Sequence, residues 1–128
     1  LGYDLSPTPV RPGDALSVTL TWQAATAMGV DFTVFVHLLA PDGRRVAQHD
    51  GGPWYDVPLP TSAWRVGEVL RDRHVLDLSP DLAPGAYRLQ VGAYYWPTGE
   101  RLPLLVGGAP VASEVEVGEV NVDNRTIR

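Results

Sequence analysis

Cysteine is missing from all 128 residues, so disulfides, thiolate catalysis and cysteine-ligated zinc are excluded. Lysine is missing too. The ten basic residues are all arginine, which removes a Schiff-base amine and the lysine of a phosphate-cradling P-loop. No run approaches the roughly 18 consecutive apolar residues that a membrane span requires, and no segment keeps a helical period over three turns. The formal charge of −5 gives a nucleic-acid backbone or an anionic membrane surface no electrostatic reason to bind. Met28 is the only methionine, and the chain opens at Leu1 without a signal peptide. The expectation is one domain, residues 1–128, cut from a longer membrane protein that sets its location.

What is present is turn chemistry and alternation. Twelve prolines and 13 glycines are spread along a chain that is 45% hydrophobic and 20% charged, as many short strands joined by tight turns require. In DALSVTLTWQ, Leu16, Val18, Leu20 and Trp22 alternate with Ser17, Thr19, Thr21 and Gln23, the pattern of a half-buried strand. DFTVFVHLLA, residues 31–40, is apolar on both faces and suits a central strand. Ala40-Pro41-Asp42-Gly43 then turns the chain back into RRVAQHD. EVLRDRHVLDLS (68–79), AYRLQVGAYYW (86–96), RLPLLV after the Pro97-Thr98-Gly99 turn, and VASEVEVGEV after the Gly107-Gly108-Ala109-Pro110 break complete the set. About seven strands at this spacing predict an all-β, immunoglobulin-like antiparallel sandwich. Tyr87, just after Pro84-Gly85, sits where such sandwiches place a tyrosine corner, with the hydroxyl bonded to upstream backbone.

The succession YDLSPTPVRPGD, TLTWQ, FTVFVHLLAPDGRRVAQHD, PTSAWRVGEVLRD, LAPGAYRLQVGAYY and GERL resembles an extracytoplasmic β-sandwich that follows the membrane-spanning part of bacterial family 39-type (protein mannosyltransferase-like) glycosyltransferases. The likeness covers roughly positions 3 to 106. It implies an accessory domain outside the cytoplasm, tethered through a missing N-terminal part and partnered by that membrane-spanning part. A glycan or a lipid-linked sugar would lie nearby. In such enzymes the catalytic acid belongs to the membrane portion, so no catalytic residue transfers to this chain and no cofactor is implied.

The residues themselves carry little reaction chemistry. None of Ser6, Ser17, Ser62, Ser79 and Ser113 lies in a nucleophile elbow, and Ser62 in PTSAW reads equally as loop chemistry. Asp50 with Asp56 or Asp72 could form a glycosidase-like pair, which needs two acids about 5 to 9 Å apart. With ten aspartates scattered over turns, solvated or capping roles are the simpler reading. If the PDG turn closes with residue 40 opposite 44, His49 faces Phe35 and lies diagonal to His37, about 7 Å away. A third ligand is not identifiable, so core histidines are expected and no metal. A one-residue bulge would put the two histidines on opposite faces. Asp72 shares a side with Leu70, His74 and Leu76, and an inward carboxylate needs a partner; Arg65 or Arg71 is the expected one. The terminal Asn124-Arg125-Thr126 matches a glycosylation triplet and is taken as chance.

HDGGPWYDVP, residues 49–58, is the stretch most like a binding loop. Aromatic rings stack on the C–H faces of sugars, while Asp, His and Arg pair with hydroxyls. His49, Asp50, Trp54, Tyr55, Asp56, Trp64 and Trp96 are therefore the candidate ligand contacts, with Trp64 also able to lid one end of the sandwich. The resulting expectation is a non-catalytic module that binds or positions a glycan for a membrane glycosyltransferase. The alternative is a purely structural or protein-docking sandwich without a small-molecule ligand.

Overall fold

The alternating segments become strands in the computed structural model, which describes residues 2–5, 10–106 and 109–123. In chain order these are β1 (Gly2–Leu5), β2 (Ala15–Gln23), β3 (Thr33–Leu39), β4 (Arg45–Gly51), β5 (Trp54–Tyr55), β6 (Val57–Pro58), β7 (Val69–Asp77), β8 (Gly85–Tyr95), β9 (Glu100–Arg101), β10 (Leu104–Val106), β11 (Ala109–Ala112) and β12 (Val115–Val122). A single 3₁₀ turn, Thr61–Ala63, interrupts them among the described residues. One sheet has the order β1-β2-β7. The other runs β12-β8-β3-β4, with β9 paired to the end of β8. Two ribbons, β5-β6 and β10-β11, stand apart. All strand pairs are antiparallel, and Val10 adds an isolated parallel bridge to Val122.

Seven long or edge-forming strands thus make an antiparallel sandwich with immunoglobulin-like strand order. Its fourth strand lies on the sheet opposite to the one it joins in a constant-type domain. Leu16, Val18 and Leu20 of β2 meet Val36 and Leu38 of β3, Leu89 and Val91 of β8 and Val120 of β12, all with no exposed surface. Burying each such side chain contributes roughly 1.5–3 kcal/mol, the main source of stability. Tyr87 makes the corner that its position predicts: its hydroxyl donates to the Ala83 carbonyl at 2.6 Å.

The two-sided apolar pattern of β3 has a local cause. Val34, Val36 and Leu38 point into the core, opposite Ala93, Val91 and Leu89. Phe35 points the other way and is still 2% exposed, because the Arg101 guanidinium lies 5.0 Å over its ring. Gly92, paired with Phe35, leaves the space that the ring fills; a Cβ there would come within 2.2 Å of Phe35 Cζ.

The β3–β4 hairpin corrects the placement of His49. Residue 40 does sit opposite 44, with the Ala40 amide donating to the Arg44 carbonyl at 2.8 Å, and Gly43 takes the left-handed φ of 87°. The register then slips between Leu38 and Leu39: Leu39 pairs with Arg45, but Leu38 pairs with Ala47. This bulge puts His49 opposite Val36 and turns it inward, while His37 pairs with Gln48 on the outer face. The two histidines do not share a face. The expected RLPLLV strand is also divided, into β9 and β10, and Pro103, which has no N–H for a ladder, falls in the gap. Ala109-Pro110, read as part of a break, begins β11. The Asn124-Arg125-Thr126 triplet lies outside the described residues.

Tyr87→Phe should lower stability by about 1 kcal/mol without changing the fold, since one hydrogen bond is lost and a carbonyl loses its partner. Urea unfolding of the two proteins, with unchanged m, checks this.

Candidate functional site

Period two along β7 sends Leu70, Asp72, His74 and Leu76 into the sandwich, in register with Trp22, Leu20, Val18 and Leu16 of β2. Asp72 is 0% exposed and His74 1%. A carboxylate in that position must be fully hydrogen-bonded. Its Oδ2 accepts from His74 Nε2 at 2.8 Å and from the Trp22 indole at 3.1 Å, and its Oδ1 accepts from the Trp54 backbone amide at 3.0 Å. The partners are therefore not Arg65 or Arg71. Arg71, one residue away in a strand, points to the opposite face.

The buried chain continues outward. Nδ1 of His74 lies 2.7 Å from Nδ1 of His49, which comes from β4 on the other sheet. The two rings meet edge-on with centroids 4.9 Å apart. Desolvation, and then the charge of His74, hold His49 below the ordinary histidine range, against the pull of Asp50, Asp72 and Asp77. His37, on the outer face, is also held below that range, first by desolvation and then by Arg45.

Between β4 and β7 the chain crosses from one sheet to the other, and Asp72 ties that crossing down. Trp54 and Tyr55 pair with Pro58 and Val57, and the Leu59 amide donates to the Pro53 carbonyl at 2.8 Å to close the ribbon. Asp56 occupies its tip at φ 63°, a left-handed conformation that aspartate tolerates better than most residues. While its amide reaches inward to Asp72, the Trp54 side chain remains 41% exposed. Tyr55 lies under two cations of β7, with the Arg73 guanidinium 5.0 Å and that of Arg71 5.7 Å from its ring centre. Arg71 Nη1 also donates to the Tyr55 hydroxyl at 3.3 Å. Arg73 Nε is buried there with no hydrogen-bond partner among the described residues.

The other candidates go elsewhere. Trp64 is buried and donates its indole N–H to the Leu59 carbonyl at 2.9 Å, so it serves as a lid. The turn before it is pinned by Thr61, whose hydroxyl donates to the Val30 carbonyl and accepts from the Phe32 amide, both at 2.9 Å. Asp50 lies on the outer face of β4, accepting from the Tyr94 hydroxyl at 2.9 Å. Trp96, 74% exposed, stands beside Tyr94 with centroids 6.3 Å apart. Of the seven candidates, the structure gathers Trp54, Tyr55 and Asp56 in one ribbon, sets His49 at the outer end of the buried chain, and puts Asp50 and Trp96 on a different surface.

Sequence reasoning did not foresee the indole of Trp22 as a partner of Asp72, or the His49–His74 contact. The available signal was Asp72-Arg73-His74, two polar residues at inward positions of a strand. An aspartate holding a histidine that holds a second histidine is an oriented base. Acyl transfer would also need a nucleophile at its outer end. Ser62 is held to Asp31, which comes from a different loop, and Ser79 Oγ accepts from the Asp81 amide within its own turn. Among the described residues, no group of three or more metal-ligating side chains is assembled.

Asp72→Ala strands three donors in the core, and we expect a loss of roughly 3 kcal/mol or more in chemical denaturation. A pH effect follows from His37 and His49. Both have folded-state values below the ordinary 6.5, so the native state binds fewer protons than the unfolded one. Their contribution is complete above that value and declines as the pH falls below it. The urea midpoint should therefore drop on acidification from about pH 7.5 to 5.5, and less steeply in His37→Gln.

No protein-family model matches the chain, and no curated protein matches it significantly.

Proposed function

We propose that this sandwich is a non-catalytic accessory module that binds or positions a glycan or lipid-linked sugar for a membrane glycosyltransferase, outside the cytoplasm. The likeness in sequence supplies the setting, and one structural observation carries the contact: an exposed Trp54 whose own amide is anchored to buried Asp72. A ring held this way loses little freedom on binding, so stacking on a sugar face is not opposed by ordering the loop. Tyr55, the next residue of the ribbon, lies under Arg71 and Arg73. The two guanidiniums suit a phosphate or a uronate on the saccharide. Trp96 and Tyr94 form a separate aromatic pair that could meet a longer chain.

A second reading, a protein-docking module, is favoured by exposed aliphatic residues near the same crossing. Val57, Val66 and Val69 are each more than half exposed. Such a module would use this surface against the rest of its parent chain or an envelope partner.

Titration with a panel of neutral and anionic oligosaccharides, followed by tryptophan fluorescence and calorimetry, separates the two. The glycan reading expects saturable binding that Trp54→Ala weakens at least tenfold, while the melting temperature moves by only a few degrees because the backbone amide remains. Absence of binding across the panel sinks it and leaves the docking module.

A further inference from the structure

Two imidazoles face each other, nitrogen to nitrogen, where the edges of the two sheets meet. The 2.7 Å between His49 Nδ1 and His74 Nδ1 is a hydrogen-bond distance, so one proton lies between them. Two lone pairs, or two N–H groups, would repel at that separation. Asp72 decides how the protons are arranged. A carboxylate only accepts, so His74 Nε2 at 2.8 Å carries a hydrogen. With both rings neutral, His74 Nδ1 is the acceptor and His49 Nδ1 the donor.

A first added proton is compatible with this contact. It enters at the outer Nε2 of His49, or, after a shift along the hydrogen bond, leaves His74 as the cation beside Asp72. Either way one proton remains between the rings, and one carboxylate balances one positive charge. A second added proton places N–H groups on both facing nitrogens, and the contact cannot persist. His74 is 1% exposed and held by Asp72, so it has nowhere to go. His49 is half-buried on an edge strand, and Gly51-Gly52 come just after its neighbour Asp50. Its Cε1 packs so close to Gly51 that a Cβ there would come within 3.2 Å.

We propose that Asp72, His74 and His49 form a proton-operated latch, which holds segment 49–58 with its Trp54-Tyr55 ribbon against β7 near neutral pH and releases it when both imidazoles are protonated. When His49 swings out, Gly51 loses the ring it packs on, and the Trp54 amide is left to compete with water for Asp72. The groups that set the pH of release can be named. Asp50 lies next to His49 on β4; Asp72 and His74 face it from β7, with Arg71, Arg73 and Asp77 on the far side of that strand, Asp77 acting through its charge alone. β3 brings uncharged Val36, β2 the Trp22 indole on Asp72, and β5 the Trp54 amide. The latch depends on these hydrogen bonds and not on what the ribbon binds.

Amide hydrogen exchange of the 128-residue chain, followed by NMR and expressed as protection factors, tests this between about pH 7.5 and 4.5. The Trp54 amide should lose at least tenfold in protection on acidification, while amides of the β3–β8 ladder change less than twofold. His49→Asn keeps a neutral donor near the Nδ1 position and should retain Trp54 protection throughout. If Trp54 protection stays in step with the ladder, or falls in His49→Asn as in the wild type, the latch is overturned. Should that variant not fold, the wild-type imidazole ¹⁵N shifts decide: uptake of the second proton must coincide with loss of Trp54 protection, and uptake without loss overturns the idea equally.

Discussion

The carboxylate of Asp72 is the point on which the functional end of this sandwich depends. It is fully buried, and it is satisfied by groups from three places that are far apart in sequence: an indole from β2, an imidazole two residues along β7, and a backbone amide from the ribbon after β4. An ionised group out of water is expensive unless each oxygen is paired. The fold meets that requirement by drawing the inter-sheet crossing down onto β7. One polar residue in the core therefore does what a covalent cross-link does in a cysteine-containing domain: it ties a long connection to the scaffold.

The same arrangement explains why the ribbon can be both ordered and exposed. The Trp54 main chain is held from below while its ring faces solvent, and Tyr55 is clasped by two arginines that have no lysine equivalent anywhere in the chain. Planar guanidiniums stack on an aromatic face in a way that an ammonium does not. The 59–64 stretch, in contrast, is consumed by structure, with Thr61 and Trp64 both turned inward to close one end of the sandwich. A loop that reads as uniform in composition is thus divided into a presenting half and an anchoring half.

Histidine placement links stability to proton concentration here. His37 on the outer face and His49 at the inner edge both resist charging, mainly because each loses water on folding. His49 differs in having a second imidazole as its neighbour, so that the number of protons, and not just the charge, is constrained by geometry. Such a constraint would couple the order of the loop to the pH around it.

The strands were legible because their signals are local. Leu16, Val18, Leu20 and Trp22 alternate within a single segment, Pro41-Asp42-Gly43 carries its own turn geometry, and Tyr87 follows a Pro-Gly turn at the start of a strand. Period two even marked Asp72 and His74 as inward. What the sequence could not decide is which groups from distant strands would meet them. Arg65 and Arg71 were the near neighbours in sequence, but strand parity turns Arg71 outward, and the pairing of β2 with β7 brings Trp22 instead. The face of His49 depended on one residue, Val46, bulging out of a hairpin whose turn was read correctly. Because a strand's period is two, that single slip reverses every side chain after it, and only the packing of the two sheets selects which register buries the right surface.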